Sequence, residues 1–229
     1  MSTTQNDPSA LTGEPSDGQS DSINFSAPLA SSKSGRLVFT SGAERLELNS
    51  DPSMPHLYQA RFGRFVRFTP HIRVQANHVT IEYRRFPSYD RLANLRAPLT
   101  KISLNGSIPW EIEFCNSVSH LNADLRQLRL RSLDILNGAS QIRLMLSPPS
   151  GTSYLYISGG ISQGTLLVPP SANVKVQVSG GATNLAFVDQ RFDMIDGEIS
   201  LVSSGFDGAK GGYDICLSGG AIDLTISQH

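Results

Sequence analysis

The stretch LYISGGISQGTLLV, Leu155 to Val168, decides the fold because the chain repeats it. Each copy is an alternating apolar run, a corner of Gly, Ser or Asn, and a second alternating run. The other copies are LDILNGASQIRLML (Leu133 to Leu146), VQVSGGATNLAFV (Val176 to Val188) and ICLSGGAIDLTI (Ile215 to Ile226), with an earlier relative, VFTSGAERLEL (Val38 to Leu48). A unit this small cannot bury its own apolar face, so the copies must stack on one another.

The corners set the period of the repeat. They begin at Asn116, Asn137, Gly159, Gly180 and Gly219, at steps of 21, 22, 21 and 39 residues. The last step is close to two units, which predicts one degenerate coil between residues 189 and 212. Alternation after the corner predicts that every second side chain points inward; in the last copy these are Ile222, Leu224 and Ile226. We therefore predict an all-β protein, a single-domain β-solenoid with coils of about 21 residues.

Composition divides the chain into three parts. Residues 1–24 are rich in Ser, Thr, Asp, Gly and Pro and have almost no large apolar side chains, which predicts a disordered tail. Short strand-like runs broken by Gly, Pro and Asn predict an irregular β capping region and the first coils over 25–100. The regular solenoid repeats are predicted over 101–229.

The leucine-rich repeat is the alternative architecture. Its spacing is matched over one unit, by Leu125, Leu128, Leu130, Leu133 and Ile135. The later units carry Gly-Gly corners and Pro-Pro turns in place of that leucine spacing, which favours the β-solenoid.

The corner pattern Gly-Gly-[Ala/Ile]-[Ser/Thr]-x-[Leu/Ile] and the turn at residues 147–151 resemble a known family. This is the bacterial toastrack, or putative-adhesin, family of β-solenoid repeats, which also forms C-terminal parts of envelope-stress regulators. The resemblance covers residues 100–229 well and 35–85 faintly. It implies a β-solenoid with no shared catalytic residues, used for scaffolding, sensing or adhesion.

Charge and cysteine content give few clues to a partner. The net charge is −1, from 19 basic and 20 acidic side chains, so no overall field attracts nucleic acid or an anionic membrane. Two cysteines, Cys115 and Cys216, do not make a disulfide framework and favour a reducing compartment. The sequence shows neither a secretory signal nor an apolar run of about 18 residues, so we expect a cytoplasmic protein without membrane insertion.

Residues 61–96 form the strongest local charge anomaly. The stretch contains eight arginines but only one glutamate and one aspartate, which gives a local net charge of +6. Six Phe and Tyr residues are interleaved with the arginines. This composition is typical of surfaces that bind single-stranded nucleic acid or another polyanion, with Arg64, Arg67, Arg84 and Arg85 as possible anion-binding residues. The competing interpretation, which we favour, places the aromatic rings in the core and the arginines in solvent or in ion pairs.

Catalytic and metal-binding patterns are weak. The five histidines occur in no recognisable motif, and Asp189, Asp193 and Asp196 lack the alternating spacing of a calcium loop. Carbohydrate-active β-helix enzymes stack carboxylates on successive coils, whereas the position three residues after each small corner residue is Ile, Gly, Leu and Leu here. We predict no catalytic, cofactor-binding or metal-binding residues and no enzyme activity.

The favoured function is a non-enzymatic structural or protein-interaction module, a scaffold, sensor or adhesin. It would act through the solenoid faces and through an exposed end at Ile222, Leu224 and Ile226, where three further residues are too few to cap a coil. We expect a protein partner or self-association. Polyanion binding through 61–96 is the first alternative, and a carbohydrate-active β-helix enzyme the second.

Overall fold

A computed structural model describes residues 22–63, 68–85, 98–204 and 211–229, with the side chains of Phe68 and Arg85 left undescribed. These residues form β-strands and no helices, as the sequence predicts. The strands are β1 (Ser22–Pro28), β2 (Gly35–Phe39), β3 (Ala43–Asp51), β4 (His56–Gly63), β5 (Phe68–Gln75), β6 (His78–Arg85), β7 (Thr100–Asn105), β8 (Pro109–Phe114), β9 (Val118–Leu125), β10 (Arg129–Ile135), β11 (Ala139–Leu146), β12 (Thr152–Ile157), β13 (Gly160–Val168), β14 (Val174–Val178), β15 (Ala182–Phe187), β16 (Gln190–Ile195), β17 (Ile199–Val202), β18 (Gly212–Leu217) and β19 (Gly220–Gln228).

Residues 1–21 of the predicted tail (1–24) lie outside the described residues. The last three positions of that prediction, 22–24, belong to β1. The division of the chain at residue 100 remains a prediction.

Two sheets face each other. The ten-stranded sheet has the order β1-β4-β7-β3-β9-β11-β13-β19-β15-β16, and the nine-stranded sheet has the order β17-β14-β18-β12-β10-β8-β2-β6-β5. Each coil supplies one strand to each sheet, as β10 and β11 do, and neighbouring coils pair in parallel. This is the predicted β-solenoid.

One hydrophobic core fills the space between the sheets. It includes the lone tryptophan, Trp110, which is fully buried and donates its indole N–H to the carbonyl of Asn105 at 2.8 Å. Gly35 lies against the indole, because a Cβ at this position would be 2.6 Å from Trp110 Cδ2. The small corner residues Ala139 and Ala182 are also buried, since the bend brings the two sheets together there.

A column of left-handed residues interrupts the alternation in the ten-stranded sheet. One residue in each of six stacked strands has φ between 51° and 55°: Arg45, His120, Gln141, Gln163, Asn184 and Asp223. The strand register skips each of them, so each is an extra residue that bulges outward. The bulge lets two residues three positions apart, such as Ala139 and Ile142, both point inward.

The corners stack as a second column. Asn137 Nδ2 donates to Asn116 Oδ1 at 3.3 Å, and Asn116 Nδ2 donates to the Thr40 carbonyl at 3.0 Å. Further along the column, a Cβ at Gly219 would overlap the backbone of Gly159. The asparagine corners are therefore linked by side chains, and the glycine corners meet by direct backbone contact.

The predicted degenerate coil at 189–212 is not a stacked coil. In this interval β16 pairs antiparallel with β15, and β17 pairs antiparallel with β14, so both strands cover the end of the stack. The chain then turns back, and β18 and β19 insert between the coil of β12 and β13 and the coil of β14 and β15. Spatial order therefore differs from sequence order.

This insertion corrects the predicted exposed end at residues 222–226. β19 is hydrogen-bonded on both sides, to β13 and β15, so it is an interior strand. Leu224 and Ile226 are fully buried. Ile222 is 54% exposed because the bulge at Asp223 turns it outward, against the alternation that we predicted.

The other end of the stack has a similar cover. The coil of β6 and β7 is followed by β5, which pairs antiparallel with β6, and by β4, which pairs antiparallel with β7. β1 then pairs antiparallel with β4 and is the outermost strand of its sheet among the described residues.

Candidate functional site

The outer surface of the nine-stranded sheet carries a groove built by β8, β10 and β12. In β10 the register shifts between Leu130, which pairs with Trp110, and Ser132, which pairs with Glu111. Arg131 is the extra residue of this bulge and is exposed. A bulge of this kind redirects side chains, which places Arg131 on the open surface.

Two adjoining depressions make up the groove. The larger has a volume of about 540 Å³ and the smaller about 180 Å³, and both are lined by Pro109, Glu111 and Arg131. Together they cross five neighbouring strands, β6, β2, β8, β10 and β12. Four strand spacings correspond to about 19 Å, so the groove is long and runs perpendicular to the strands.

The groove has unequal charge along its length. Arg36 forms a 2.7 Å ion pair with Glu113 and lies 3.9 Å from Glu111, and the hydrogen bond to Glu113 raises the pKa of Arg36. Arg129 donates to the carbonyl of Ser107. Arg131 has no ion pair within the described part of the chain. Its positive charge is therefore available to a ligand.

An aromatic ring stands at the other side of the larger depression. Tyr154 is 56% exposed, although tyrosine rings usually pack at least one face against the protein. The hydroxyl-bearing residues Ser132, Ser150 and Thr152 line the same depression. The site therefore combines a free guanidinium, an open ring and several hydroxyl groups.

Two carboxylates lie side by side beyond the groove. Glu113 and Asp134 are register partners on β8 and β10, one coil apart. Burial and the Glu113 charge raise the pKa of Asp134 above the ordinary aspartate value. The sequence prediction missed this pair because it compared only the positions after each corner, which lie in the ten-stranded sheet. The 21-residue spacing of Glu113 and Asp134 was the available signal.

The two cysteines are free and half-buried. The Cys115 thiol donates to Glu113 Oε1 at 3.5 Å. Burial and the neighbouring Glu113 raise the pKa of Cys115, so little thiolate forms at neutral pH and the thiol is a weak nucleophile. No group of three or more His, Cys, Asp or Glu side chains suited to a metal ion is found in residues 22–63, 68–85, 98–204 and 211–229.

Of the four predicted anion-binding arginines, the structure describes the side chain of Arg84 only. Arg64, Arg67 and the side chain of Arg85 lie outside the described residues. Arg84 is exposed and lies 3.4 Å from Glu82. Among the aromatic residues of the stretch, Phe62 is fully buried and packs against Tyr83 at a centroid distance of 6.2 Å. Those two rings belong to the core.

Comparison with known proteins places the chain in a family. The family model described as the N-terminal domain of toast_rack, DUF2154, matches residues 14–167. The chain belongs to this toast_rack family. The match confirms the resemblance read from the corners and ends within β13, so the inserted coil of β18 and β19 lies beyond it.

A solved structure has a similar fold. A crystal structure of a "putative cell adhesion protein" from Clostridium sporogenes is 20% identical in sequence, with a TM-score of 0.67. The alignment covers 91% of this chain and 99% of that chain. No curated protein matches the sequence. Within the described residues, we find no helix with the length and apolar character needed to cross a membrane.

Proposed function

We propose that this toast_rack protein is a non-enzymatic structural or protein-interaction module that holds an extended, acidic segment of a partner protein in the groove of the nine-stranded sheet. The observation that carries the proposal is the exposed Arg131, which lines both depressions and lacks an ion pair within the described residues. Arginine and tyrosine are the residue types that most often dominate protein interfaces.

The dimensions of the groove support a peptide ligand. An extended chain rises by about 3.3 Å per residue, so a groove of about 19 Å accommodates about six residues. Arg131 would bind a carboxylate through two parallel N–H donors, and the ring of Tyr154 would pack against the neighbouring side chain. Ser132, Ser150 and Thr152 supply hydrogen bonds to an extended backbone.

A labelled hexaglutamate peptide tests the charge preference directly. We expect it to bind the full chain in fluorescence anisotropy, more weakly at high salt, and Arg131→Glu to weaken binding about tenfold or more, because a charge-assisted hydrogen bond contributes about 1.5–3 kcal/mol. Arg143→Glu is the matched control, since Arg143 is also exposed but lies on β11 in the other sheet. Equal binding by both variants, or stronger binding of hexalysine, would contradict the proposal.

The two alternatives from the sequence stay predictions. Polyanion binding through Arg64, Arg67, Arg84 and Arg85 rests mainly on residues outside the described part of the chain. A carbohydrate-active enzyme would use a carboxylate pair such as Glu113 and Asp134. Glu113 forms an ion pair with Arg36 at 2.7 Å, which does not favour a catalytic role for this carboxylate. The cytoplasmic location likewise remains a prediction.

A further inference from the structure

The two ends of the stack differ in charge. We call the end formed by β16 and β17 the acidic end: residues 189–202 contain four acidic side chains and one basic, a balance of −3. We call the opposite end, formed by β1, β4, β5 and β6, the basic end: its strands contain four arginines and one glutamate, a balance of +3. The ends of one molecule are therefore electrostatically complementary to each other.

Exposed apolar side chains concentrate on the same strands. Seven large apolar residues are exposed within the described chain, and four of them lie on the four outermost strands, one on each. At the basic end these are Ile23 on β1 (43% exposed) and Val74 on β5 (40%); at the acidic end they are Met194 on β16 (71%) and Val202 on β17 (50%). Soluble proteins normally place charges or bulges on such edges to prevent pairing.

Strand directions allow both sheets to continue across a contact. In the ten-stranded sheet, β1 runs in the same direction as the coils, because two antiparallel pairings separate it from β7, whereas β16 runs in the opposite direction. In the nine-stranded sheet, β5 and β17 both run opposite to the coils. A translated copy would therefore pair β1 with β16 antiparallel and β5 with β17 parallel, and both pairings are regular β-ladders.

We propose that the acidic end of one chain docks on the basic end of a second copy, giving head-to-tail assembly. The contact joins two different surfaces, so it is heterologous, and repeated translation produces an open filament instead of a closed dimer. Pro70 removes one backbone donor from β5, so the apolar contacts of Val74 and the charge attraction carry part of this contact. The proposal is independent of the groove, and it gives the arginines of β4, β5 and β6 a partner.

Sedimentation velocity of the full chain tests the assembly. We expect the mean mass of the wild type to rise with protein concentration and to fall when salt is added. Met194→Lys blocks the acidic end, because the new charge faces a basic surface, and Val74→Asp blocks the basic end for the converse reason. Each variant alone should sediment as a single chain under conditions in which the wild type assembles.

Mixing the two variants makes the test specific. Each retains one intact end, and these ends are complementary, so the equimolar mixture should double in mass to a 1:1 dimer and grow no further. Ile222→Asp is the control, since the exposure of Ile222 lies between those of Val74 and Met194 but Ile222 is on an interior strand; it should assemble like the wild type. A wild type that stays a single chain at every concentration, or either blocked variant dimerising alone, overturns the proposal.

Discussion

The hydroxyl of Tyr213 donates a 2.6 Å hydrogen bond to the backbone carbonyl of Ser147, 66 positions away in the sequence. Tyr213 belongs to β18 of the inserted coil, and Ser147 directly follows β11. Both residues are buried, and burial raises the pKa of Tyr213 to about 12. The hydrogen bond therefore ties the inserted coil to a part of the stack that is distant in sequence.

Removing this hydroxyl should destabilise the fold. Tyr213→Phe keeps the ring but leaves the Ser147 carbonyl buried without its donor, which costs about 1–3 kcal/mol. The free energy of unfolding in urea measures the loss. Tyr154→Phe is the control, because that ring is exposed, and it should leave stability unchanged. If Tyr213→Phe also leaves stability unchanged, Tyr213 acts only through its ring and the prediction is wrong.

The glycine corners should tolerate no side chain where two backbones touch. An alanine Cβ at Gly219 would overlap the Gly159 carbonyl, and backbone on both sides prevents relief, so we expect Gly219→Ala to cost about 1–3 kcal/mol. At Gly42 the nearest atom would be 3.3 Å away, the Ser117 carbonyl oxygen, and Gly42→Ala should be near neutral. Thermal unfolding compares the two; a Gly219→Ala protein with the wild-type Tm would contradict this packing.

The stability of the protein should respond to the charge on Asp134. Its folded-state pKa is raised above the ordinary value of 3.8, mainly by burial and also by the Glu113 charge. At pH values between the unfolded-state and the folded-state pKa, the folded protein therefore binds more protons than the unfolded chain. Stability contributed by the protonated form is therefore lost as pH rises through the folded pKa. Asp134→Asn should stabilise the protein at pH 7.

The gain in stability from Asp134→Asn should disappear as pH falls below the unfolded-state pKa of Asp134, because this carboxyl group is then protonated in both the folded and the unfolded wild type. Urea unfolding of both proteins across this range gives the difference in free energy. A variant that is less stable at pH 7 would mean that the Ser132 hydrogen bond and the Arg36 charge outweigh the effects of burial and Glu113 on Asp134. A difference independent of pH would mean that folding does not change the pKa of Asp134, which also contradicts the prediction.

Substitution by glycine should change the stability of the protein in opposite directions at two nearby positions, one inside the column of left-handed residues and one outside it. Gln141 has φ of 53°, where an L-residue pays about 1–2 kcal/mol and glycine does not. Arg143, two residues later on the same strand, is also exposed but has no positive φ. We expect Gln141→Gly to be neutral or stabilising and Arg143→Gly to cost about 0.5–1 kcal/mol. Chemical denaturation of both variants decides; equal losses would contradict the strain.

The sequence was sufficient to predict what depends on local repetition. The corners and the 21-residue step predicted the solenoid and the stacking of its coils, because each coil meets its neighbour at equivalent positions. The bulge column was missed for a physical reason: Gln141 and Asp223 look like ordinary polar strand residues, and their left-handed conformation arises only when several coils stack. Ile222 was consequently placed on the inward face.

Spatial order and the groove could not be predicted in the same way. We assumed that coils adjacent in sequence are adjacent in space, so the 39-residue step was assigned to a degenerate coil. In the structure, β16 and β17 cap the stack, and β18 lies between β12 and β14. The groove depends on the β10 bulge at Arg131, which brings together residues from five strands. Neither the spatial order of the coils nor the groove corresponds to a local sequence pattern.

The position of β18 and β19 constrains the folding of the chain during its synthesis. A simple solenoid can grow coil by coil as it leaves the ribosome, each new turn docking on the last. Within the described residues, β14 and β15 form strand pairs only with β16, β17, β18 and β19, all of which are made later. We therefore expect the segment from 174 to 202 to reach its native pairing only after residues 212–228 have been made, because β18 and β19 join it to the earlier coils in both sheets.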